Sequence, residues 1–201
     1  FLLDIMKVAT NAKQDYDLPY YFLGQVISTN FEYASPSTLV PLGKKNGYQH
    51  LYLEGQGQPS IDNTKLSWLN EGKFYTLTSA TNTTDELLFT RMGANDPEFN
   101  IRREAALIIR RNDTQDTTFA TVIEPHGSYS PVTEASLDSS SNIANLAVVH
   151  DDEQYTAIQI TDLSGNVQLF ILANLDAKAS TTHHLKIADT TYDWTGAFYY
   201  H

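Results

Sequence analysis

Cysteine is absent from this chain of 201 residues, which excludes disulfide staples, thiolate metal sites and a thiol nucleophile. Positive charge is scarce. Thirteen Lys and Arg face 24 Asp and Glu, and the net charge of −11 repels phosphate backbones and anionic membrane surfaces. Neither nucleic acid nor a membrane is expected as a partner, and no apolar run nears the ~20 residues that span a bilayer. Helical periodicity is nearly missing, which argues against a bundle. Gly-x-Ser-x-Gly, P-loop and dinucleotide fingerprints are absent, and none of the six histidines stands in HxH or HExxH spacing. A hydrolase elbow, a nucleotide enzyme and a self-contained zinc motif are therefore unsupported.

What is present is β-protein material. Hydrophobic residues make up 41% of the chain, with 12 Tyr and 9 Phe, too many for a disordered segment. The length suits one large all-β unit over 1–201. Short runs of β-branched and aromatic residues recur between Gly, Asn, Asp, Pro and Ser clusters, which predicts strands at 24–31, 49–54, 73–78, 86–91, 105–111, 118–124, 143–150, 155–161 and 166–173. The Asp162-Leu163-Ser164-Gly165-Asn166 stretch predicts a hairpin joining the last two. Residues 118–123 and 155–160 alternate apolar with polar, implying one buried and one wetted face, whereas 105–109 is apolar throughout and implies cover on both sides. The fold class predicted is a multilayer antiparallel β-sandwich. Ordered loops are expected at 34–45 and 93–103. The opening Phe1-Leu2-Leu3-Asp4-Ile5 has no basic leader and reads at once as a strand, as if cut from a longer polypeptide.

The densest constellation is Asp15-Tyr16-Asp17-Leu18-Pro19-Tyr20-Tyr21, with Gly24-Gln25 just after it. A phenol at a cleft rim can give or take a proton when its surroundings tune it, although tyrosine is also a common core-edge residue of β-proteins. His50, in Gly47-Tyr48-Gln49-His50-Leu51, reads as a hydrogen-bonded strand residue. The pair His183-His184 reads as pointing to opposite faces of a strand. Arg102-Arg103 and Arg110-Arg111 suit an acidic sugar by their fork geometry, but neutralisation of Asp96, Glu98 and Glu104 beside them accounts for them equally simply.

The segments Asp15 to Tyr21 with Gly24-Gln25, Leu42-Gly43, Asn46 to Leu51, Gly93 to Asn100 and Glu124-Pro125-His126-Gly127 resemble, in that order, the C-terminal β-sheet part of heparinase II/III-like polysaccharide lyases. The resemblance is strongest to the oligoalginate lyases of polysaccharide lyase family seventeen. It implies an N-terminal α/α toroid ahead of this β-domain, a periplasmic or secreted enzyme, and β-elimination on a uronate glycan, with alginate favoured. Carried over by position, it implies a catalytic Tyr at Tyr16, with Tyr20 and Tyr21 as alternates. It also implies a structural zinc held by Asp4 and His50 with a His from upstream residues; Arg102 and Arg103 are the candidate substrate contacts by their fork geometry. The competing reading is a noncatalytic carbohydrate-binding or structural sandwich, with Trp68, Trp194, Tyr199 and Tyr200 as surface stacking aromatics.

Overall fold

A computed structural model describes residues 1–92 and 104–201, and contains strands, one short 3-10 turn and no α-helix among them. Two long strands organise the chain: β1 (Leu2–Phe22) and β8 (Glu104–Ser130) pair antiparallel along nearly all of β1. The pairing slips between Ala9 and Gln14 and again before Tyr16, opposite residues 111–116. Such irregularities bend and twist a strand pair, and here the ribbon folds over on itself. Asp4 is registered on Thr121 and Tyr20 on Leu107, yet the Tyr20 hydroxyl donates to Asp4 Oδ2 at 3.2 Å. The polar run 112–116, which the sequence pattern treats as a break between two strands, is this bend within one.

Each half of the ribbon carries its own neighbours. The half with 117–128 of β8 pairs with β6 (Lys73–Ala80), then β5 (Asn63–Asn70) and β2 (Gln25–Thr29). The half with 104–110 pairs with β7 (Glu86–Met92), then β4 (Leu51–Gly57) and β3 (Tyr33–Ala34). The short β9 (Ala135–Leu137) closes onto the end of β8. Even-numbered β1 residues Met6, Tyr16, Leu18 and Tyr20 face Leu66, Trp68, Leu77, Leu87, Leu107, Ile109 and Phe119, and this cluster fills the space between the halves.

Two further layers follow. Ala120 and Val122 of β8 leave the opposite face and pack on β10 (Ile143–Asp151) and β11 (Tyr155–Asp162), which continue through β12 (Val167–Ala173) to β15 (Phe198–Tyr200). The far face of that sheet, with Ala157, Leu169 and Ile171, is covered by the ribbon of β13 (Thr182–Ile187) and β14 (Thr190–Thr195) through Leu185 and Trp194. The chain is a multilayer antiparallel β-structure, as the alternation of its strands implied. The 162–166 hairpin forms as expected: Asp162 accepts the amides of Ser164 and Asn166 at 2.8 and 2.9 Å, and Gly165 takes the left-handed φ of 84°.

Pro19 lies inside β1 rather than at a strand entrance. It is tolerated because β1 borders only β8, so the missing N–H falls on the free edge. Residues 49 and 50 belong to a 3-10 turn, Tyr48–His50, that runs into β4. This corrects the strand expected there, and Gly47 starts the turn at φ 90°, a value that favours glycine. The strands β3, β5, β9, β14 and β15 were not foreseen, and β13 was anticipated only at His183-His184.

Candidate functional site

Alternation along β1 decides which side each tyrosine serves. Asp17, Pro19 and Tyr21 point away from the core formed by Leu18 and Tyr20, and with Ile108, Met92 and Leu51 they floor a cleft of about 320 Å³. The segment 46–50 forms its rim, contributing Asn46, Gly47, Tyr48 and His50. The segment leading to that rim is itself tied to β4: Leu42 N–H donates to the Leu51 carbonyl at 2.8 Å and Leu53 N–H to the Val40 carbonyl at 3.0 Å. Gly43 packs closely on Tyr48: a Cβ there would stand 3.0 Å from Tyr48 Cβ, so a side chain would push Tyr48 aside by a few tenths of an ångström.

Under the rim sits a charge-assisted network. Arg110 Nε and Nη2 donate to the two Asp17 oxygens at 2.7 and 2.8 Å, a bidentate fork, and the Tyr48 hydroxyl donates to Asp17 Oδ2 at 2.6 Å. The hydrogen bond to Asp17 holds the Arg110 guanidinium charged well beyond its ordinary range. Burial, then the hydrogen bond to anionic Asp17, raises the Tyr48 phenol above 10.0. The network fixes Tyr48, and with it the rim that carries His50.

The sequence candidates divide accordingly. Tyr21, half-exposed at 49%, and His50 share the cleft. Tyr20, on the opposite face of the same strand, is half-buried and bonded to Asp4; desolvation drives its phenol far above 10.0, so it remains protonated. Tyr16 packs on the inner cluster near the ribbon's bend, its hydroxyl 2.8 Å from Thr10 Oγ1. Asp4 faces inward with Tyr20 while His50 lies on the outer side with Tyr21. No group of three or more His, Cys, Asp or Glu that could hold a metal exists among the described residues, and a zinc shared by Asp4, His50 and a His from outside this chain is a proposal.

Arg102, Arg103 and the Gly93 to Asn100 motif lie outside the described residues. Arg110 and Arg111 are neutralised, but by Asp17 and Asp85 across neighbouring strands rather than by the acidic residues next to them in sequence. Trp68 and Trp194 are buried, each 8% exposed, packing on Phe22 and Tyr75 and on His183 respectively. They are core residues and cannot act as surface stacking platforms, whereas Tyr200 is exposed. His183 and His184 do face opposite ways, 5% exposed and solvent-facing respectively. Sequence reasoning missed Tyr48 as the keystone of the site. Its only signal was its place in the Gly47 to His50 segment, since its partners Asp17 and Arg110 stand 31 and 62 positions away.

No family model matches the chain. Two relatives do. An alginate lyase of Stenotrophomonas maltophilia (strain K279a) is 36% identical over 198 residues, which is 98% of this chain and 26% of that protein. An exo-oligoalginate lyase of Saccharophagus degradans (strain 2-40) is 28% identical over 199 residues, 97% of this chain and 27% of that protein. The chain therefore spans about a quarter of the length of the curated relatives it matches. Over that quarter of their length, the chain is similar in sequence to these alginate and exo-oligoalginate lyases.

Proposed function

We propose that this chain forms one wall of the site in which a polyuronate, alginate in the first instance, is cleaved by β-elimination. The observation that carries the reading is the match of 98% of the chain to an alginate lyase at 36% identity. The cleft is consistent with it, since a phenol and an imidazole, Tyr21 and His50, meet there beside cationic side chains.

The chemistry divides into two proton transfers. The C5–H bond next to the uronate carboxylate breaks and its proton goes to a base; the electron pair becomes the C4=C5 double bond; the C4–O bond breaks, and the departing oxygen takes a proton from an acid. No water is consumed. Tyr21 serves one of these transfers, being the tyrosine that faces the cleft, while Tyr16 and Tyr20 are committed to interior hydrogen bonds. In this proposal the complementary group and the donors that mute the substrate carboxylate come from an N-terminal α/α toroid. The enzyme of this proposal is periplasmic or secreted, where it meets the polyuronate.

The test is kinetic. In the full-length enzyme, Tyr21→Phe lowers kcat on oligoalginate by about 10²–10⁴-fold, the usual worth of a positioned acid or base, while Tyr16→Phe keeps it within severalfold. Formation of the unsaturated uronate is followed by its ultraviolet absorbance. Full activity of Tyr21→Phe, with its circular dichroism unchanged, removes Tyr21 from the mechanism.

A further inference from the structure

Next to the cleft, and sharing Tyr48 with it, lies a second depression of about 380 Å³ lined by Leu42, Gly43, Lys44, Lys45, Tyr48 and Arg110. Three of its six lining residues are cations, on a chain whose net charge is −11. The carboxylates nearest to them are already engaged: Asp17 is bonded by Arg110 and Tyr48, and Glu86 accepts from Asn112 at 3.0 Å. Among the described residues, Lys44 and Lys45 form no salt bridge. Asp17 is bonded by Nε and Nη2 of Arg110, and the same Arg110 lines the depression. The walls are held in place by the close approach of Gly43 to Tyr48 and by the Leu42–Leu51 backbone bond.

We propose that this depression is an anion subsite for the carboxylate of the sugar adjoining the one that reacts, so that the enzyme reads two successive uronates rather than one. The inference rests on the reading of the cleft as part of a uronate-cleaving site. The net charge of −11 on this chain works against diffuse attraction of a polyanion, so on this wall a local cationic pocket is what favours the substrate. Because the neighbouring sugar does not react, its carboxylate is held equally in the ground and transition states, and its loss appears in KM rather than kcat.

The experiment uses the full-length enzyme, the variant Lys44→Ala/Lys45→Ala, and two oligouronates that differ only in whether the carboxyl adjoining the reacting sugar is free or a methyl ester. Wild type prefers the free acid about tenfold in KM, the preference shrinks in moderate salt, and the variant loses it with kcat little changed. A wild type indifferent to esterification, or a variant that keeps the preference, overturns the subsite. Calorimetric binding of the two oligomers, read in parallel, separates the two readings. If neither oligomer is cleaved but the free acid binds tighter to wild type and not to the variant, the lyase reading falls and the subsite stands.

Discussion

Arg111 is the residue on which the folded ribbon should turn most sensitively. It lies at the register slip where β1 and β8 double over, and it is 8% exposed. Nε and Nη2 donate to the two oxygens of fully buried Asp85 at 2.9 and 2.8 Å, and Nη1 donates to Thr117 Oγ1 at 2.6 Å and to the Thr118 carbonyl at 3.1 Å. The guanidinium also lies 4.4 Å from the ring centre of Phe119, in the middle of the inner cluster. Arg111→Met keeps the length of the stem but strands the Asp85 carboxylate, whose remaining partner is the Asn82 amide at 3.0 Å. Removing one member of a buried pair costs about 3–5 kcal/mol, mostly because the other charge is left uncompensated. For a chain of this size that corresponds to a fall of roughly 6–20 °C in melting temperature. Urea unfolding is followed by fluorescence, where Trp68 reports on the sandwich and Trp194 on the outer ribbon. The double variant Arg111→Met/Asp85→Leu should be more stable than Arg111→Met alone, since it removes the stranded charge. A single variant that loses less than about 1 kcal/mol, or a double variant no better than the single, refutes the uncompensated-charge argument.

Two other outcomes follow from the hydrogen bonds of the site and the hairpin. Tyr48→Phe deletes the donor to Asp17 in a partly exposed network and costs about 1 kcal/mol in the urea midpoint. Because the Tyr48 phenol is raised above 10.0 on folding, the stability it contributes is complete below that value and declines as pH rises toward the folded value; the variant should therefore lose less than wild type on alkaline titration. Asp162 is lowered from 3.8 mainly by the Asn166 side chain and then by backbone amides. Its contribution is present above the ordinary carboxyl range and is lost as pH falls through the lowered value, so the Ser164 and Asn166 amide resonances should move in acid with a midpoint below 3.8. A midpoint at or above 3.8 contradicts the turn geometry.

Most strands were legible because their period is local. Residues 155–161 alternate, and the alternation sorts Ile158 and Ile160 to one cluster and Ala157 to another. Residues 105–109 are apolar throughout because β8 there is covered on both faces, with Ala106 to Ile109 all nearly inaccessible. β5 carries the same alternation, Lys65 and Ser67 between Leu66 and Trp68, but its short run between turn-rich flanks went unread. The continuity of β8 through 112–116 was hidden, since polar residues at a bend look like the end of a strand.

The sequence by itself determined an all-β chain of several layers, the 162–166 hairpin and the kinship to polysaccharide lyases, because pattern, turn chemistry and motif order are properties of neighbours along the chain. Tertiary structure decided which of Tyr16, Tyr20 and Tyr21 shares a cleft with His50, and it set Tyr20 against Asp4. Adjacent residues of a strand face opposite ways, and the fold in the ribbon brings Tyr20 to Asp4 across the interior while Tyr21 is left on the outer face. The same folding joins Asp17, Tyr48 and Arg110, distant in sequence, into one network, and no reading of local pattern could have found it.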